Sequence, residues 1–342
     1  MLLADLAMSD EKYIVVLMGG ISPEREISLQ SGKAIASALS IDNKNVIKII
    51  VNDDMVNELD NYKIDVAFIA LHGYFGEDGG IQGVPESKGI PYTGSGVTAS
   101  KLAMNKVETK EAFRRNNIPT PDYFTASTIQ NVSEVTNSAQ SLRLPLITKP
   151  VSNGSSFGIS IIEEYAGIKD AIEHTGLYGR EILVEECIEG RELAVSVLNE
   201  KALPVLEIKT ATGIYDYVAK YKSDKTQYNI LTSGDDSSET TLSHDVYGRV
   251  QELAVRAHSS LGCRTFSRVD MILNKDDEIY VLEVNTIPGF TERSLLPKAA
   301  AAANISFSEL CNAIVNAACK HNLVPEQATR AGINDKENID NI

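Results

Sequence analysis

Near the end of the chain, two apolar runs are interrupted by a polar residue at every second position. The first run carries Arg268 and Asp270, and the second carries Glu283 and Asn285. A period of two is typical of a β-strand, so each pair of polar residues lies on one face of its strand. A four-residue hairpin loop at 275–278 would set Asp270 opposite Glu283 and, two positions on, Arg268 opposite Asn285. A five-residue loop would put the two acids on opposite faces, so we predict the four-residue loop.

In that register the oxygen atoms of Asp270, Glu283 and Asn285 converge beside the guanidinium of Arg268. Carboxylates, an amide and open water positions suit Mg²⁺ that also holds substrate phosphates. The alternative is an exposed hairpin whose acids are only solvated. It accounts for the charged loop but not for a second run that continues into Thr-Ile-Pro-Gly. We therefore predict a metal-binding hairpin over residues 266–289.

The first third of the chain has the pattern of a parallel α/β sheet. Apolar runs predict buried strands at 13–20, 46–51 and 66–71. A helix is predicted after the first strand, with Ser22 as its N-cap and Pro23 as its first residue. Ligands of such sheets collect at the carboxyl ends of the strands. Those ends carry Gly19-Gly20, His72-Gly73 and a glycine-rich turn at 76–80.

The rest of the chain mixes strands with helices. One helix is predicted over 99–116, and it carries Lys106. Short strands are predicted at 145–150, 159–162, 181–186 and 192–198, and later helices at 246–261, 299–304 and 307–319. A small-residue loop at 153–158 could close its backbone N–H groups over phosphates, although a flexible hairpin explains it equally well. The polar stretch 210–236 is long enough to predict a functional lid.

Composition restricts the class of protein. The 342 residues can hold two or three domains, and 43% hydrophobic with 23% charged residues is typical of a soluble globular protein. A net charge of −15 argues against a nucleic-acid partner, because no basic patch stands out. An anion such as ATP can still bind where a few lysines and a metal are placed locally. The four cysteines show no metal or disulfide spacing, which favours reduced thiols in the cytosol.

Neither end of the chain predicts a membrane or secretory signal. Acidic residues precede the first lysine, and no apolar run approaches the roughly 20 residues that cross a bilayer. We expect a cytoplasmic protein without a membrane partner. The tail 325–342 lacks apolar periodicity and is predicted to be disordered. Residues 1–12 are also predicted to be a disordered N-terminus, because Met8 could itself be the start.

Several short motifs follow one another in a fixed order. They are Gly19-Gly20-Ile-Ser-Pro-Glu24, Leu71-His72-Gly73, Gly76-Glu-Asp-Gly79, Pro91-Tyr-Thr-Gly-Ser-Gly96, Lys149-Pro150, Gly154-Ser155-Ser156, Tyr215-Asp-Tyr-Val-Ala-Lys220-Tyr221, Arg268-Val-Asp270 and Glu283-Val-Asn285. Their joint occurrence is far more specific than any single motif. Over about residues 13–323 the chain resembles the D-alanine–D-alanine ligases, members of the ATP-grasp superfamily.

The resemblance implies an α/β and α+β fold. An N-terminal parallel α/β domain (pre-ATP-grasp, 13–103) would precede a two-subdomain ATP-grasp fold (104–190 and 191–324). It also implies the reaction: ATP phosphorylates the carboxylate of one D-alanine, and the amine of a second attacks the acyl phosphate to give a dipeptide for peptidoglycan. The implied partners are D-alanine, ATP, two Mg²⁺ ions for which Mn²⁺ can substitute, and a second copy of the chain in a homodimer.

The resemblance assigns a role to each candidate residue at the nucleotide. Phosphate contacts fall to Lys106, Lys149 and Lys220, the closing loop to Ser155 and Ser156, the adenine region to Glu185, Glu186 and Ile188, the ribose to Glu192, and the two metal ions to Asp270, Glu283 and Asn285. Members of the family often have a lysine where this chain has Glu186. Positioning and electrostatics do most of the work in phosphoryl transfer, which is why lysines and a metal serve it.

At the amino-acid end the resemblance assigns a second set of residues. Glu24 would pair with the ammonium of the first D-alanine, near His72. Arg268 and the N–H of Gly289 would form an oxyanion hole, and Ser294 would meet the carboxylate of the second D-alanine. Plainer roles exist for three of them: a first-turn helix acid, a satisfied core histidine and a helix N-cap, for Glu24, His72 and Ser294 respectively.

The lid carries one further candidate. Tyr221 would join a hydrogen-bond chain through Ser155 toward Glu24 and fix the lid over the site, unless it is only an aromatic plug. Two other functions stay open at this point. One is a related ligase that makes D-alanyl-D-lactate; the other is a nucleotide-binding regulatory module without turnover, which the intact metal residues and lysines disfavour.

Overall fold

The computed structural model describes residues 12–52, 59–154, 156–210, 226–235 and 238–321. The predictions for Ser155, Lys220, Tyr221, residues 1–11 and the tail 325–342 lie outside these residues. None of the described helices combines the length and the apolar character needed to cross a bilayer. All four cysteines are free thiols, as predicted.

A three-stranded parallel sheet opens the fold, in the order β2-β1-β3. Its strands are β1 (Tyr13–Gly19), β2 (Asn45–Val51) and β3 (Val66–Ile69), and the helices that accompany it are α1 (Arg25–Leu39), α2 (Gly80–Ser87) and α3 (Val97–Met104). The predicted parallel sheet is confirmed.

Lys12 was predicted to be part of a disordered end, but its ammonium donates to Asn316 Oδ1 at 2.5 Å, beside β1.

The predicted start of α1 was wrong by two residues. Glu24, not Ser22, occupies the N-cap position, and the helix begins at Arg25. The hydroxyl of Ser22 donates instead to the carbonyl of His72 at 2.6 Å and accepts from the N–H of Glu24 at 3.2 Å. A tertiary hydrogen bond has therefore replaced the predicted cap, and Glu24 lies at the positive end of the helix.

The single helix predicted over 99–116 is two helices, α3 and α4 (Lys106–Arg115). Asn105 breaks the helix because its backbone is extended, and its side-chain oxygen accepts from the N–H groups of Val107 and Glu108, both at 3.1 Å. The break makes Lys106 the first residue of α4. Its backbone N–H is then available to the carbonyl of Val151 at 3.0 Å.

A four-stranded antiparallel sheet follows, in the order β4-β7-β5-β6. Its strands are β4 (Tyr123–Ser127), β5 (Leu146–Pro150), β6 (Ser160–Ile162) and β7 (Glu181–Glu186), with helices α5 (Val132–Ala139) and α6 (Ile168–Gly176) packed on one face. The three segments predicted as strands here are confirmed within a residue or two. The opposite face is left for the cavity described below.

The third sheet has the order β11-β10-β8-β14-β15, with β9 paired to β8. Its strands are β8 (Arg191–Leu198), β9 (Lys201–Ala202), β10 (Leu206–Lys209), β11 (Gln227–Ile230), β14 (Phe266–Leu273) and β15 (Ile279–Asn285). A small two-stranded sheet pairs β12 (Thr232–Ser233) with β13 (Thr241–Leu242). Within the segment 210–236, which was predicted as one lid loop, residues 227–230 and 232–233 are strands; residues 211–225 and 236 lie outside the described residues.

Three helices complete the described chain: α7 (His244–Ser260), α8 (Leu295–Ala302) and α9 (Phe307–His321). The helix predicted at 299–304 begins earlier than expected, at Leu295. An apolar cluster joins the first sheet to the third, and Phe290 lies at its centre. Its ring contacts Phe68 and Phe266 edge-on, with centroids 5.5 and 5.3 Å apart. These contacts hold the segment after β15 against the first sheet.

The β14–β15 hairpin has the predicted register but reaches it differently. Asp270 pairs with Glu283 and Arg268 pairs with Asn285, although Leu273 pairs with Ile279, which leaves five residues in the loop rather than four. A register shift lies between Asp270 and Met271, where Leu282 is an extra residue in β15. This β-bulge compensates for the longer loop and restores the two acids to one face.

Candidate active site

One cavity gathers the residues predicted to bind the amino acids. It has a volume of about 250 Å³, and its lining includes Glu24, His72, Arg268, Gly289 and Ser294, together with Lys106, Glu283 and Asn285. These residues come from the N-cap of α1, the segment after β3, the start of α4, the hairpin and the segment before α8. The fold thus brings together residues that lie as much as 270 positions apart in sequence.

A second cavity gathers the residues predicted to bind the nucleotide. It has a volume of about 140 Å³ and is lined by Lys106, Lys149, Ser156, Glu185, Glu186, Ile188, Glu192, Asp270 and Glu283, among others. The two cavities share four lining residues: Lys106, Asn153, Gly154 and Glu283. A group held at that boundary touches both cavities, which is the arrangement that transfer of a phosphoryl group from one bound molecule to another needs.

The charged face of the hairpin lies at this boundary. Arg268 makes a two-point contact with Asp270, in which both N···O distances are 2.7 Å, and both side chains are buried. The ammonium of Lys106 lies 3.9 Å from the carboxylate of Glu283. Two carboxylates directly opposite each other repel, and these two cations offset part of that repulsion.

The donor set at the hairpin matches the chemistry of a magnesium site. Asp270 and Glu283 supply carboxylates on one face, and the amide oxygen of Asn285 accepts from the N–H of Ile287 at 3.0 Å, which fixes its direction. Among the described residues there is no metal-binding group of three or more histidine, cysteine or acidic side chains. The predicted set has two acids and one amide, and hard oxygen ligands of this kind suit Mg²⁺ with waters or phosphates completing its shell.

The nucleotide cavity contains a buried charge cluster that sequence reasoning found only in part. Glu185 is 1% exposed, and its two carboxylate oxygens lie 2.6 Å from the ammonium groups of Lys149 and Lys110. Lys110 was missed. It follows Lys106 by four residues on a predicted helix, so it shares that residue's face, and this spacing was the available signal.

Burial and ion pairing act against each other on the pKa values of this cluster. Burial lowers the pKa of Lys110, which Glu185 opposes. Burial would also lower the pKa of Lys149, but the attraction of Glu185 outweighs it and raises that pKa. For Glu185, burial favours the neutral acid, yet the two lysines prevail and lower its pKa. Glu185, predicted to face the adenine, therefore has its carboxylate engaged by the two lysines.

Glu186 and Ile188 also line this cavity, with Glu186 at the end of β7. The carboxylate of Glu186 points to Arg143, with N···O distances of 3.3 and 3.2 Å, and it also accepts from the backbone N–H of Arg143 at 2.9 Å. Its side chain is thus tied to Arg143, and its backbone N–H donates to the carbonyl of Asp122 at 3.0 Å. Ser156 has a positive φ of 56°, an unusual backbone conformation for a non-glycine residue, in the loop between β5 and β6.

His72 lines the amino-acid cavity, and both of its ring nitrogens have partners within the protein. Nδ1 lies 3.1 Å from the carbonyl of Ile287 and Nε2 lies 3.1 Å from the hydroxyl of Ser31. A carbonyl can only accept, so Nδ1 carries the proton and Nε2 accepts from Ser31. The hydroxyl of Ser31 also accepts from the N–H of Phe290 at 3.3 Å. His72 thus fastens α1 to the segment that carries Gly289.

Gly289 and Ser294 are in direct contact at the far end of the same cavity. A Cβ atom at position 289 would lie 2.7 Å from the hydroxyl of Ser294, so only glycine fits without movement. Ser294 occupies the N-cap position of α8, but its hydroxyl makes no capping hydrogen bond. It contacts Thr291 instead, at 3.1 Å from the backbone N–H and 2.9 Å from the side-chain oxygen. The plain N-cap role is therefore not the one this hydroxyl has.

Glu24 is 6% exposed and lies beside a second required glycine. A Cβ atom at Gly73 would come within 2.5 Å of Glu24 Oε2, and the φ of Gly73 is 71°. The carboxylate of Glu24 therefore lies directly against the backbone of Gly73, in the segment after β3. It lines the cavity, at the N-terminus of α1, where it can meet a cation.

Comparisons with known proteins agree with this geometry. Residues 54–95 match the family model described as D-ala D-ala ligase N-terminus, and residues 113–316 match the one described as D-ala D-ala ligase C-terminus. The D-alanine–D-alanine ligase of Syntrophotalea carbinolica is 42% identical over 309 residues, which are 89% of this chain and 95% of that protein.

Solved structures give the same result for the fold. A D-alanine–D-alanine ligase from Bacillus anthracis in complex with ATP has a TM-score of 0.77 at 32% identity and covers 91% of this chain and 99% of its own. The VanG D-Ala:D-Ser ligase from Enterococcus faecalis also has a TM-score of 0.77, at 30% identity, and covers 90% of this chain and all of its own. The predicted mixed fold with a parallel N-terminal sheet and an ATP-grasp fold is confirmed.

The fold and its solved relatives place the chain in the class of ATP-grasp ligases. Within that class the chain belongs to the D-alanine–D-alanine ligase family.

Proposed function

We propose that this protein joins two D-alanine molecules at the expense of ATP, through a D-alanyl phosphate, and so supplies a dipeptide for peptidoglycan. The observation that carries the proposal is the meeting of the two cavities at Lys106, Asn153, Gly154 and Glu283. At this boundary, a carboxylate bound in the larger cavity can approach a terminal phosphate held in the smaller one. Phosphorylation gives that carboxylate a leaving group, which a free carboxylate lacks.

The roles of the residues follow from where they lie. Glu24 would bind the ammonium of the first D-alanine and hold its carboxylate toward the boundary of the cavities. Lys106 and Lys149 would bind phosphate oxygens as point charges. Arg268 and the N–H of Gly289 would stabilise the oxyanion that forms when the second amine attacks the acyl phosphate. Ser294 would bind the carboxylate of that second D-alanine.

Asp270, Glu283 and Asn285 would hold two Mg²⁺ ions, which neutralise the charge of the triphosphate when they are bound. In the structure Asp270 is paired with Arg268. The same acid is thus able to hold Arg268 in place before substrates bind.

We also infer a cytoplasmic homodimer and the domain boundaries given above, at 13–103, 104–190 and 191–324. An interface on the N-terminal domain would cover large apolar side chains that are 48 to 68% exposed in one copy, such as Ile21, Ile50 and Tyr74. Each of the three main sheets falls within one of the predicted domains.

The identity of the second substrate depends on the larger cavity, where that substrate would bind. One solved relative is named as a D-Ala:D-Ser ligase, and its fold is equally similar to this chain. The acceptor therefore needs a direct test. ADP release is measured with Mg-ATP and D-alanine alone, and then with D-alanine plus D-serine, D-lactate or L-alanine, with product identified by mass.

We expect ADP release with D-alanine alone, with D-alanyl-D-alanine as the main product. A mixed product with D-serine or D-lactate in excess over the dialanine would assign a different acceptor. No ADP release under any of these conditions, from an enzyme that binds ATP, would leave a nucleotide-binding module and refute the ligase.

A further inference from the structure

Lys110 is a fully buried cation with no place in the reaction as described so far. Its side chain is 1% exposed, and it is not among the described residues that line either cavity. Its ammonium lies 2.6 Å from Glu185 Oε2, 2.6 Å from the hydroxyl of Thr120 and 3.1 Å from the carbonyl of Pro121. The contacts to Thr120 and Pro121 are hydrogen bonds, and the contact to Glu185 is an ion pair.

Glu185 connects Lys110 to the nucleotide cavity. Its other oxygen lies 2.6 Å from the ammonium of Lys149, which lines that cavity. The three groups therefore form one row, with a carboxylate between two ammonium groups. Two positive charges and one negative charge leave the row with a net charge of +1.

That net charge depends on Lys110. Without it, Glu185 would face Lys149 with an equal and opposite charge, and the pair would be neutral toward an anion in the cavity. Charges inside a protein are screened far less than charges in water, so the loss of one buried positive charge is felt by a phosphate nearby. If Lys149 were its only lysine partner, Glu185 would also hold the ammonium of Lys149 more tightly.

We propose that Lys110 is a positioning residue, which balances the charge of Glu185 so that Lys149 presents a net positive charge to the phosphates of a bound nucleotide. This inference rests on the proposed function, because it takes ATP to be the ligand of the smaller cavity. The competing role is purely structural: Lys110 also joins α4 to the segment before β4 through Thr120 and Pro121.

The number of phosphates on the ligand separates the two roles. Calorimetric titration of the full-length enzyme with adenosine, ADP and ATP measures Kd for the wild type and for Lys110→Met. We expect Kd for ATP to rise about tenfold, which corresponds to about 1.4 kcal/mol, with a smaller rise for ADP and no change for adenosine. Thermal unfolding of each protein without ligand records any loss of stability.

A double variant, Lys110→Met with Glu185→Gln, restores the charge balance. It leaves Lys149 as one positive charge beside a neutral amide, so we expect it to bind ATP several-fold more tightly than Lys110→Met does. Arg114→Met is the matched control, because it removes the same charge one helical turn further on, where Arg114 pairs with the exposed Asp122. We expect that control to bind all three ligands as the wild type does.

Three outcomes would overturn the inference: equal weakening for adenosine and ATP, no weakening for either, or a double variant as weak as Lys110→Met. The wild type in the same titration tests the proposed function separately. If the wild type itself failed to bind ATP, the function would fail before the role of Lys110 was reached.

Discussion

The two faces of the β14–β15 hairpin have the same backbone and opposite tasks. One face is apolar: Val269, Met271, Val281 and Val284 are buried in the cluster that includes α7. The other face carries Arg268, Asp270, Glu283 and Asn285 at the boundary of the two cavities. The apolar face stabilises the fold, and the charged face sets two acids opposite each other, which costs free energy. Stability and chemistry are therefore separable within one hairpin.

The β-bulge at Leu282 keeps the two faces distinct. Val281 and Val284 are three residues apart, yet both are buried in the same apolar cluster. Leu282 and Glu283 are neighbours, yet both line the nucleotide cavity. In a regular strand neighbours point to opposite faces, so the extra residue is what brings Glu283 to the side of Asp270.

The largest expected effect comes from the apolar face. Met271→Ala removes a fully buried side chain next to the bulge and leaves a cavity. We expect the free energy of unfolding to fall by about 3 kcal/mol, the middle of the range for such truncations. Urea unfolding at neutral pH measures it. Turnover per folded molecule at low temperature should stay within about twofold of the wild type; a much larger loss would mean that the two faces are not independent.

The next effect comes from the charged face. Glu283→Gln keeps the size of the side chain but removes a charge at the shared boundary. We expect kcat to fall by about a hundredfold, as when one electrostatic contact to a transition state is lost. Steady-state ADP release at saturating Mg²⁺ measures it. Unfolding should need no less urea than in the wild type, because repulsion between the two opposed acids is relieved. Near-normal turnover would refute the assignment of Glu283 to the phosphoryl-transfer site.

The period of the strands made both faces of this hairpin predictable. Alternation of apolar and polar residues placed Arg268 with Asp270 and Glu283 with Asn285, and the short strands lining the nucleotide cavity were also predicted. The loop length was wrong, because a bulge leaves no clear mark in a run of apolar residues. The register survived only because the two deviations cancel.

What sequence patterns missed depends on tertiary contacts. The sequence over 99–116 predicts one continuous helix. The break at Asn105 is evident only in the structure, where the side chain of Asn105 caps the start of α4. Ser31 and His72 are 41 residues apart, and only the packing of α1 against the first sheet brings them together. Lys110 resembles an ordinary surface lysine of α4, because the carboxylate that buries it lies 75 residues away on β7.

The smallest effect that we predict concerns a buried histidine that contacts strand β14 of the hairpin. His258 lies on α7, is 1% exposed, and has Nδ1 2.7 Å from the hydroxyl of Ser267, the residue before Arg268. Among the described residues, none offers Nε2 a hydrogen bond. A protonated imidazole would need an acceptor at both nitrogens, and burial alone disfavours the charge. Burial lowers the pKa of His258 to about 4.

The sign of the pH dependence follows from this shift. Above about pH 6.5 the imidazole is neutral in both the folded and the unfolded chain, and the stability is complete. As the pH falls below that value, the unfolded chain takes up a proton that the folded protein refuses. Stability then declines by about 1.4 kcal/mol per pH unit until the pH nears the pKa of the folded state, so that about 2 kcal/mol is lost by pH 5.

Urea unfolding between pH 7.5 and about pH 5 measures this slope in the wild type, in His258→Gln and in His174→Gln, a matched change at an exposed histidine of α6. We expect His258→Gln to be less stable than the wild type at neutral pH, because glutamine does not pack as the imidazole ring does. On acidification the variant should lose less stability than the wild type. The His174→Gln protein should keep the wild-type slope. Parallel slopes for the wild type and His258→Gln would show that His258 takes up its proton in the folded protein. The apolar face of the hairpin would then tolerate a charge, and the contrast between its two faces would be weaker than the structure indicates.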